Sequence, residues 1–216
     1  GTGLANSNGT RDDLIVGGDL DFNSGAVLNG NIVYAGKAKL KSVVIPHGTA
    51  RKVSDPLALA STQSYVAAVA ARWAALPSNG STSVNFYGGK TAVITLVGND
   101  PTRNVFTLAG ANLAKANKLE ISAPASSIVV INIDGTKDAM EAFGIILSGV
   151  DSQHVVYNFY KATKLTMKKI GVLGTVWAPF ADVSFSSGAI NGTLLAKSFK
   201  GSNTEFKIAQ FAGPLP

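Results

Sequence analysis

The 216-residue chain contains no cysteine. Disulfides, thiolate nucleophiles, Cys-ligated zinc and iron–sulfur clusters are therefore excluded. Export is not, because a chain of this size builds a core without cross-links. Histidine is almost as scarce. His47 sits in Pro46-His47-Gly48, which reads as a turn, and His154 precedes the apolar Val155-Val156-Tyr157. Neither has a second histidine three to five residues away, so no metal pair forms and no metal or cofactor is expected. Charge is sparse at 15%, where soluble domains average about 25%. With 46% hydrophobic residues, most of the chain has enough apolar surface to offset the entropy of ordering, which excludes disorder. No run reaches the ~18 apolar residues of a membrane-spanning helix, so no transmembrane segment is expected. The opening Gly1-Thr2-Gly3-Leu4-Ala5-Asn6 has no basic stretch followed by an apolar one. Either nothing was targeted or a signal had been removed. The closing Gly213-Pro214-Leu215-Pro216 reads as the stop of a domain cut from a longer protein.

What is present is a series of short apolar runs punctuated by Gly, Asn, Ser and Asp. Residues 1–13 are polar and Gly/Asn-rich and are expected to form a flexible N-terminal segment. From Leu14 onward the runs at 14–16, 32–34, 43–45, 92–97, 105–108, 127–133, 144–147, 154–160, 170–177 and 193–199 read as strands. One stretch departs from this texture. After Ser54-Asp55-Pro56, the residues Leu59, Val66, Val69, Trp73 and Leu76 recur at helical spacing with alanines between them. This predicts one amphipathic helix over 56–76, capped by Asp55, with Pro56 at its first position and Pro77-Ser78-Asn79-Gly80 ending it. Trp73 is expected in the core. Trp177 is expected either in the core or as a surface stacking residue.

A motif occurs twice. Phe22-Asn23-Ser24-Gly25-Ala26 leads to Asn29-Gly30, and Phe185-Ser186-Ser187-Gly188-Ala189-Ile190 leads to Asn191-Gly192. With one residue gapped, both read Phe-x-Ser-Gly-Ala-apolar-Asn-Gly. Gly174, Gly192 and Gly201 likewise return at coil-like intervals. Such recurrence favours stacked β-coils around a continuous apolar column. The alternative, a β-sandwich, calls for stricter in–out alternation than Ile128-Val129-Val130-Ile131 shows. The predicted fold is mainly β: a right-handed parallel β-solenoid (β-helix) over 14–216 as a single domain, with one long α-helix packed alongside.

Residues 170–216 resemble the C-terminal half of the choice-of-anchor A domain family. The likeness is carried by Gly174, Ala178, Pro179, Gly188, Asn191, Gly192, Ala196, Lys197, Ser198, Phe206, Phe211 and Pro216. Upstream, Asn158-Phe159-Tyr160-Lys161-Ala162-Thr163-Lys164-Leu165-Thr166 is similar to that family's lead-in. Val16-Gly17-Gly18-Asp19-Leu20 and Gly30-Asn31-Ile32 resemble its opening coil. The resemblance implies an exported adhesive domain of bacterial, sometimes eukaryotic, surface proteins carried on varied anchors. It also implies an architecture similar to ice-binding-type adhesins. No sorting motif or anchor helix accompanies it, so the anchor itself has no support here.

Enzyme motifs are weak. Asp19-Leu20-Asp21 places two carboxylates on one strand face, as a polysaccharide-acting enzyme on a β-helix scaffold would need. Two solvated acids at a strand end explain them as well. Val16-Gly17-Gly18 and Phe86-Tyr87-Gly88-Gly89-Lys90 lack phosphate-loop spacing, and no Gly-x-Ser-x-Gly elbow occurs. Asn132-Ile133-Asp134-Gly135 lacks the further oxygens that calcium needs. The candidate ligand-binding residues are lysines. Lys37, Lys39 and Lys41 alternate on one strand face, followed by Arg51 and Lys52, and Lys161, Lys164, Lys168 and Lys169 form a second cluster. With a net charge of +6, they suit an acidic glycan or other anionic polymer. A solvated, aggregation-resistant edge is the alternative. Nucleic acid is not expected, because no aromatic interleaving accompanies the lysines. Ice binding is a second function open to the same architecture. However, Thr91 with Thr95 and Thr163 with Thr166 do not build a Thr-x-Thr ladder. The expected function is non-catalytic adhesion at a cell surface, as part of a larger anchored protein.

Overall fold

The computed structural model describes residues 9–88 and 91–216. The predicted N-terminal segment lies outside these for residues 1–8, as do Gly89 and Lys90 of the glycine turn. Asp12 and Asp13 already belong to the first strand. The chain divides into two compact units, residues 1–65 with 205–208 and residues 66–204 with 209–216.

The first unit contains β1 (Asp12–Val16), β2 (Leu20–Phe22), β3 (Gly25–Ala26), β4 (Asn31–Tyr34), β5 (Ala38–Leu40), β6 (Val43–Val44) and β7 (Ala50–Lys52). All pair in parallel, and the partners fall 18 residues apart: Leu14 with Ile32 and then Ala50, Leu20 with Ala38, and Gly25 with Val43. Each stretch of chain therefore lies on the one 18 residues before it. Val27 and Ile32 are fully buried between the layers. Asn31 locks one corner. Its Nδ2 donates to the Gly9 carbonyl at 2.7 Å, and its Oδ1 accepts from the Thr49 amide at 2.9 Å. The Asn29-Gly30 turn marks this corner because successive layers pass within contact there. A Cβ on Gly48 would stand 2.2 Å from the Gly30 carbonyl oxygen.

Between the strand-rich segments runs α1 (Leu59–Ala74), shorter than the predicted 56–76. Ala58 has φ 44°, in the left-handed region. That breaks helical continuity after Pro56, so Pro56 lies in a turn ahead of the helix instead of at its first position.

The second unit carries β8 (Ser81–Tyr87), β9 (Thr91–Val97), β10 (Arg103–Ala109), the one-turn helix α2 (Gly110–Leu113), β11 (Ala116–Ser122), β12 (Ile128–Asp134), β13 (Lys137–Glu141) and β14 (Gly144–Ser148). It continues with β15 (Val155–Asn158), β16 (Lys164–Lys168), β17 (Gly171–Leu173), β18 (Thr175–Asn191) and β19 (Leu194–Lys207), whose last residues, 205–207, fall in the first unit. β18 shows how the sheet curls. Along its 17 residues it pairs in parallel with β15 (Val156 with Thr175), then β16 (Lys164 with Asp182), then β17 (Gly171 with Ala189). One departure from uniform parallel stacking is β8, which pairs antiparallel with β9.

The strand residues 128–131 are covered on both faces. Ile131 and Ile133 are fully buried. On the other face Ile128 and Val130 join Val105, Val156 and Trp177 against Val69, Ala70 and Trp73 of α1. Full burial of each such side chain contributes about 1.5–3 kcal/mol. Trp73 and Trp177 meet edge to face at 5.0 Å, so both are core residues. A polar row lies inside this apolar seam, made by Asn132, Asn158 and Trp177 in register on adjacent strands. Asn132 Nδ2 donates to the Trp73 carbonyl at 2.8 Å, Asn158 Nδ2 to the Ala70 carbonyl at 2.9 Å, and Trp177 Nε1 to the Val66 carbonyl at 2.9 Å. The three acceptors lie one helical turn apart. The row therefore fixes the axial position of the helix on the sheet, which apolar packing alone leaves free to slide.

Candidate functional site

One sheet face of the second unit gathers several of the predicted residues. β13, β16 and residues 182–186 of β18 run side by side, and strand alternation sends every second residue outward. Three rows result: Lys137, Lys164 and Asp182; Ala139, Thr166 and Ser184; Glu141, Lys168 and Ser186. The residues between them, Met140, Leu165, Met167, Val183 and Phe185, are buried beneath. The middle row is small or hydroxyl-bearing, and the outer rows are charged except at Ser186. Neighbouring strands lie about 4.8 Å apart and alternate residues along a strand about 6.7 Å, so the face is a regular grid.

The lysines on this face are partly neutralised. Lys164 lies between Lys137 and Asp182, and Lys168 between Glu141 and Ser186. Asp182 accepts from Ser198 Oγ at 2.7 Å and has Lys197 at 3.6 Å. The serine bond first, and then the lysine charge, hold its carboxyl below the usual range. Lys161 lies at the turn before β16, bound to Asp134, with its ammonium 5.5 Å from the Tyr160 ring centre. The aspartate holds that ammonium above the ordinary lysine range.

Lys37, Lys39 and Lys41 belong to the first unit and are exposed. Lys39 lies in β5 opposite Asp21, and Lys37 and Lys41 flank the strand. The Lys37 amide donates to Asp19 Oδ1 at 2.7 Å. Asp19 thus closes a turn and Asp21 faces a lysine, an arrangement different from a cooperating carboxylate pair. Among the described residues no group of three or more His, Asp or Glu side chains converges to hold a metal ion. Among the described residues no helix is long and apolar enough to cross a membrane.

Lys137, Ala139, Glu141 and Ser184 are face residues that lie outside the apolar runs of the sequence. The signal was available as alternation in Lys137-Asp138-Ala139-Met140-Glu141, Lys164-Leu165-Thr166-Met167-Lys168 and Asp182-Val183-Ser184-Phe185-Ser186. Asp138 is the exception among the inward positions. It takes a core place in register with Leu165 and Val183, and among the described residues neither carboxylate oxygen has a hydrogen-bond partner. Burial first, and then the Asp134 charge, push its carboxyl up.

The second unit thus presents a curled, mainly parallel sheet with a helix packed on one face and a grid of outward side chains on another. Residues 1–208 match the family model described as "Putative Ice-binding-like adhesive domain", and the chain belongs to that family. Among solved structures it is similar to an ice-binding protein from the Antarctic ascomycete Antarctomyces psychrotrophicus. The TM-score is 0.55 at 19% identity, over 95% of this chain and 97% of that one. At that identity the likeness is one of fold. No curated protein matches the chain at a significant level.

Proposed function

We propose that this chain is an adhesive domain, displayed outside the cell on a larger anchored protein, and that the face of β13, β16 and β18 meets its surface ligand. In this reading the parallel layers over 14–216 form one right-handed solenoid, in keeping with the choice-of-anchor A likeness. The ligand is an acidic glycan or other anionic polymer, and neither cofactor nor nucleic acid takes part. The observation that carries the reading is the three-row grid itself. It is rigid, backed by buried side chains, and holds Lys137, Lys164 and Lys168 at fixed spacing, with Lys161 at its margin. Lys37, Lys39 and Lys41 are a second basic patch of the same kind. Each contact is weak, and many displayed copies multiply it.

Immobilised dextran sulfate is a suitable probe. Retention is expected to fall with added salt, because exposed charges are screened beyond about 8–10 Å at physiological ionic strength. Lys164→Glu with Lys168→Glu is expected to weaken it, with Lys37, Lys39 and Lys41 left to hold the remainder. Retention indifferent to both salt and the double variant would reject the polymer reading.

A second reading is ice binding. It is favoured by the middle row, Ala139-Thr166-Ser184, whose small and hydroxyl side chains lie on a regular grid, and by the ice-binding protein with the similar fold. Thermal hysteresis that is lost in Thr166→Tyr would establish it. An absence of hysteresis in the unaltered chain would dismiss it.

A further inference from the structure

The second unit also contains a groove that the sheet-face reading does not use. It has a volume of about 480 Å³ and lies beside the end of α1, between the loop at 101–103 and the tail at 212–216. Small-ligand sites span about 300–1,000 Å³. Its apolar wall includes Pro101, Ile128, Pro214 and Leu215 over the edge of Trp73, and its polar side includes Thr102, Arg103, Ser126 and His154. A second hollow of about 300 Å³ shares Thr102 and Arg103 with it, which places the Arg103 side chain at the border of both.

The tail that makes one wall is fastened down. Arg72 Nη1 donates to the Pro216 carbonyl at 2.9 Å, and the Ala212 amide donates to the Gln153 carbonyl at 2.8 Å. Phe211 packs edge to face on Trp73 at 5.9 Å. The groove is therefore formed before any ligand arrives, which lowers the entropy cost of binding.

Its charges are unequally engaged. Asp100 is turned back on its own loop, where its Oδ1 accepts from the Thr102 amide at 2.7 Å and the Arg103 amide at 3.0 Å. The Arg103 guanidinium lies in the field of Asp100, but among the described residues it forms no direct ion pair. His154 directs Nδ1 to Asp151 Oδ1 at 2.6 Å, and among the described residues Nε2 has no partner.

We propose that this groove binds a uronate, a carboxylated sugar residue. The carboxylate lies on the Arg103 guanidinium, where a planar fork matches it. One carbon-bound face of the ring rests on Pro101 and Leu215, and the hydroxyls meet His154 Nε2 and Ser126 Oγ. Other ligand classes fit less well. A neutral sugar offers the guanidinium no anion to pair with directly, and a purely apolar ligand leaves the polar side desolvated without bonds. A phosphate dianion calls for a second uncommitted cation, and His154 is already shared with Asp151.

The test is titration of the whole chain with digalacturonate, read on the tryptophan indole signals by NMR, with neutral digalactose as the control. Digalacturonate is expected to give a saturable shift of the Trp73 signal and digalactose none. Arg103→Gln is expected to weaken binding at least about tenfold, the scale of one charge-assisted pair. Its melting temperature should stay unchanged, and Arg103→Lys should recover part of the loss. The proposal is overturned by an equal response to digalactose, by no response to either sugar, by unaltered binding in Arg103→Gln, or by a peptide α-carboxylate binding more tightly than the uronate. It is independent of the sheet-face reading. Dextran sulfate retention that survives Arg103→Gln leaves that reading standing whichever way this titration falls.

Discussion

Asn158 and Asn132 occupy the same row on adjacent strands, and Asn158 Nδ2 donates to Asn132 Oδ1 at 2.8 Å while also reaching the Ala70 carbonyl of α1. The two amides thus form a chain that ends on the helix backbone, inside a seam otherwise made of valine, alanine, isoleucine and tryptophan. Asn158→Ala removes the middle link and leaves the Asn132 oxygen buried without its donor. A loss of about 2–3 kcal/mol is expected, from the lost bond and the unsatisfied group together. Urea unfolding followed by tryptophan fluorescence measures it. A loss below about 0.5 kcal/mol would mean that the row contributes nothing beyond shape.

Asp138 predicts a pH dependence of definite sign. Its carboxyl is raised above the ordinary value by burial and by Asp134, so the folded state prefers it neutral. The favourable contribution is complete below the unfolded carboxylate pKa and is lost as pH rises through the higher folded value. Asp138→Asn should therefore melt at a higher temperature than the parent at alkaline pH and show little difference in acid. A constant offset across the range would remove titration of Asp138 as the cause.

Two glycines separate crowding from flexibility. A Cβ on Gly192 would stand 2.0 Å from the Gly174 carbonyl oxygen, whereas nothing lies within 4 Å of one on Gly171. Gly192→Ala must push two layers of backbone apart and is expected to cost about 2–4 kcal/mol or to prevent folding. Gly171→Ala is expected to be neutral or to stabilise by up to about 1 kcal/mol by restricting the unfolded chain. Thermal melts of the pair check both, and equal effects would refute the crowding argument.

The layered, mainly β character was legible in the sequence because layer spacing and turn chemistry coincide. Gly30 and Gly192, the closing glycines of the repeated motif, each lie at a corner where neighbouring layers touch. The buried stripe of α1 was legible from Val66, Val69 and Trp73. Its start was not, since nothing local to Ala58 announces a left-handed residue. The helix contacts of Asn132, Asn158 and Trp177 were beyond reach as well, because the contact pairs are separated by 59 to 111 residues. Of the proposed binding face, Lys164 and Lys168 are legible from charge, whereas Ala139 and Ser184 are not. Small residues become informative only when register places them beside Thr166. The Arg103 groove was invisible for a related reason. Its walls come from segments at 101–103, 126–128, 154 and 212–216 that share no sequence pattern.

The continuous run of β18 past three earlier strands restricts how such a chain changes length over time. Adding or deleting one residue near Val183 would flip the side chains beyond that point from one surface to the other and unmatch the later ladders together. Connections carry no such penalty. Lys164 and Asp182 are 18 positions apart, but Val130 and Val156 are 26 apart on layers that still align. Insertions should therefore accumulate at the bends, so related chains would differ in girth between layers while the strands keep a constant length.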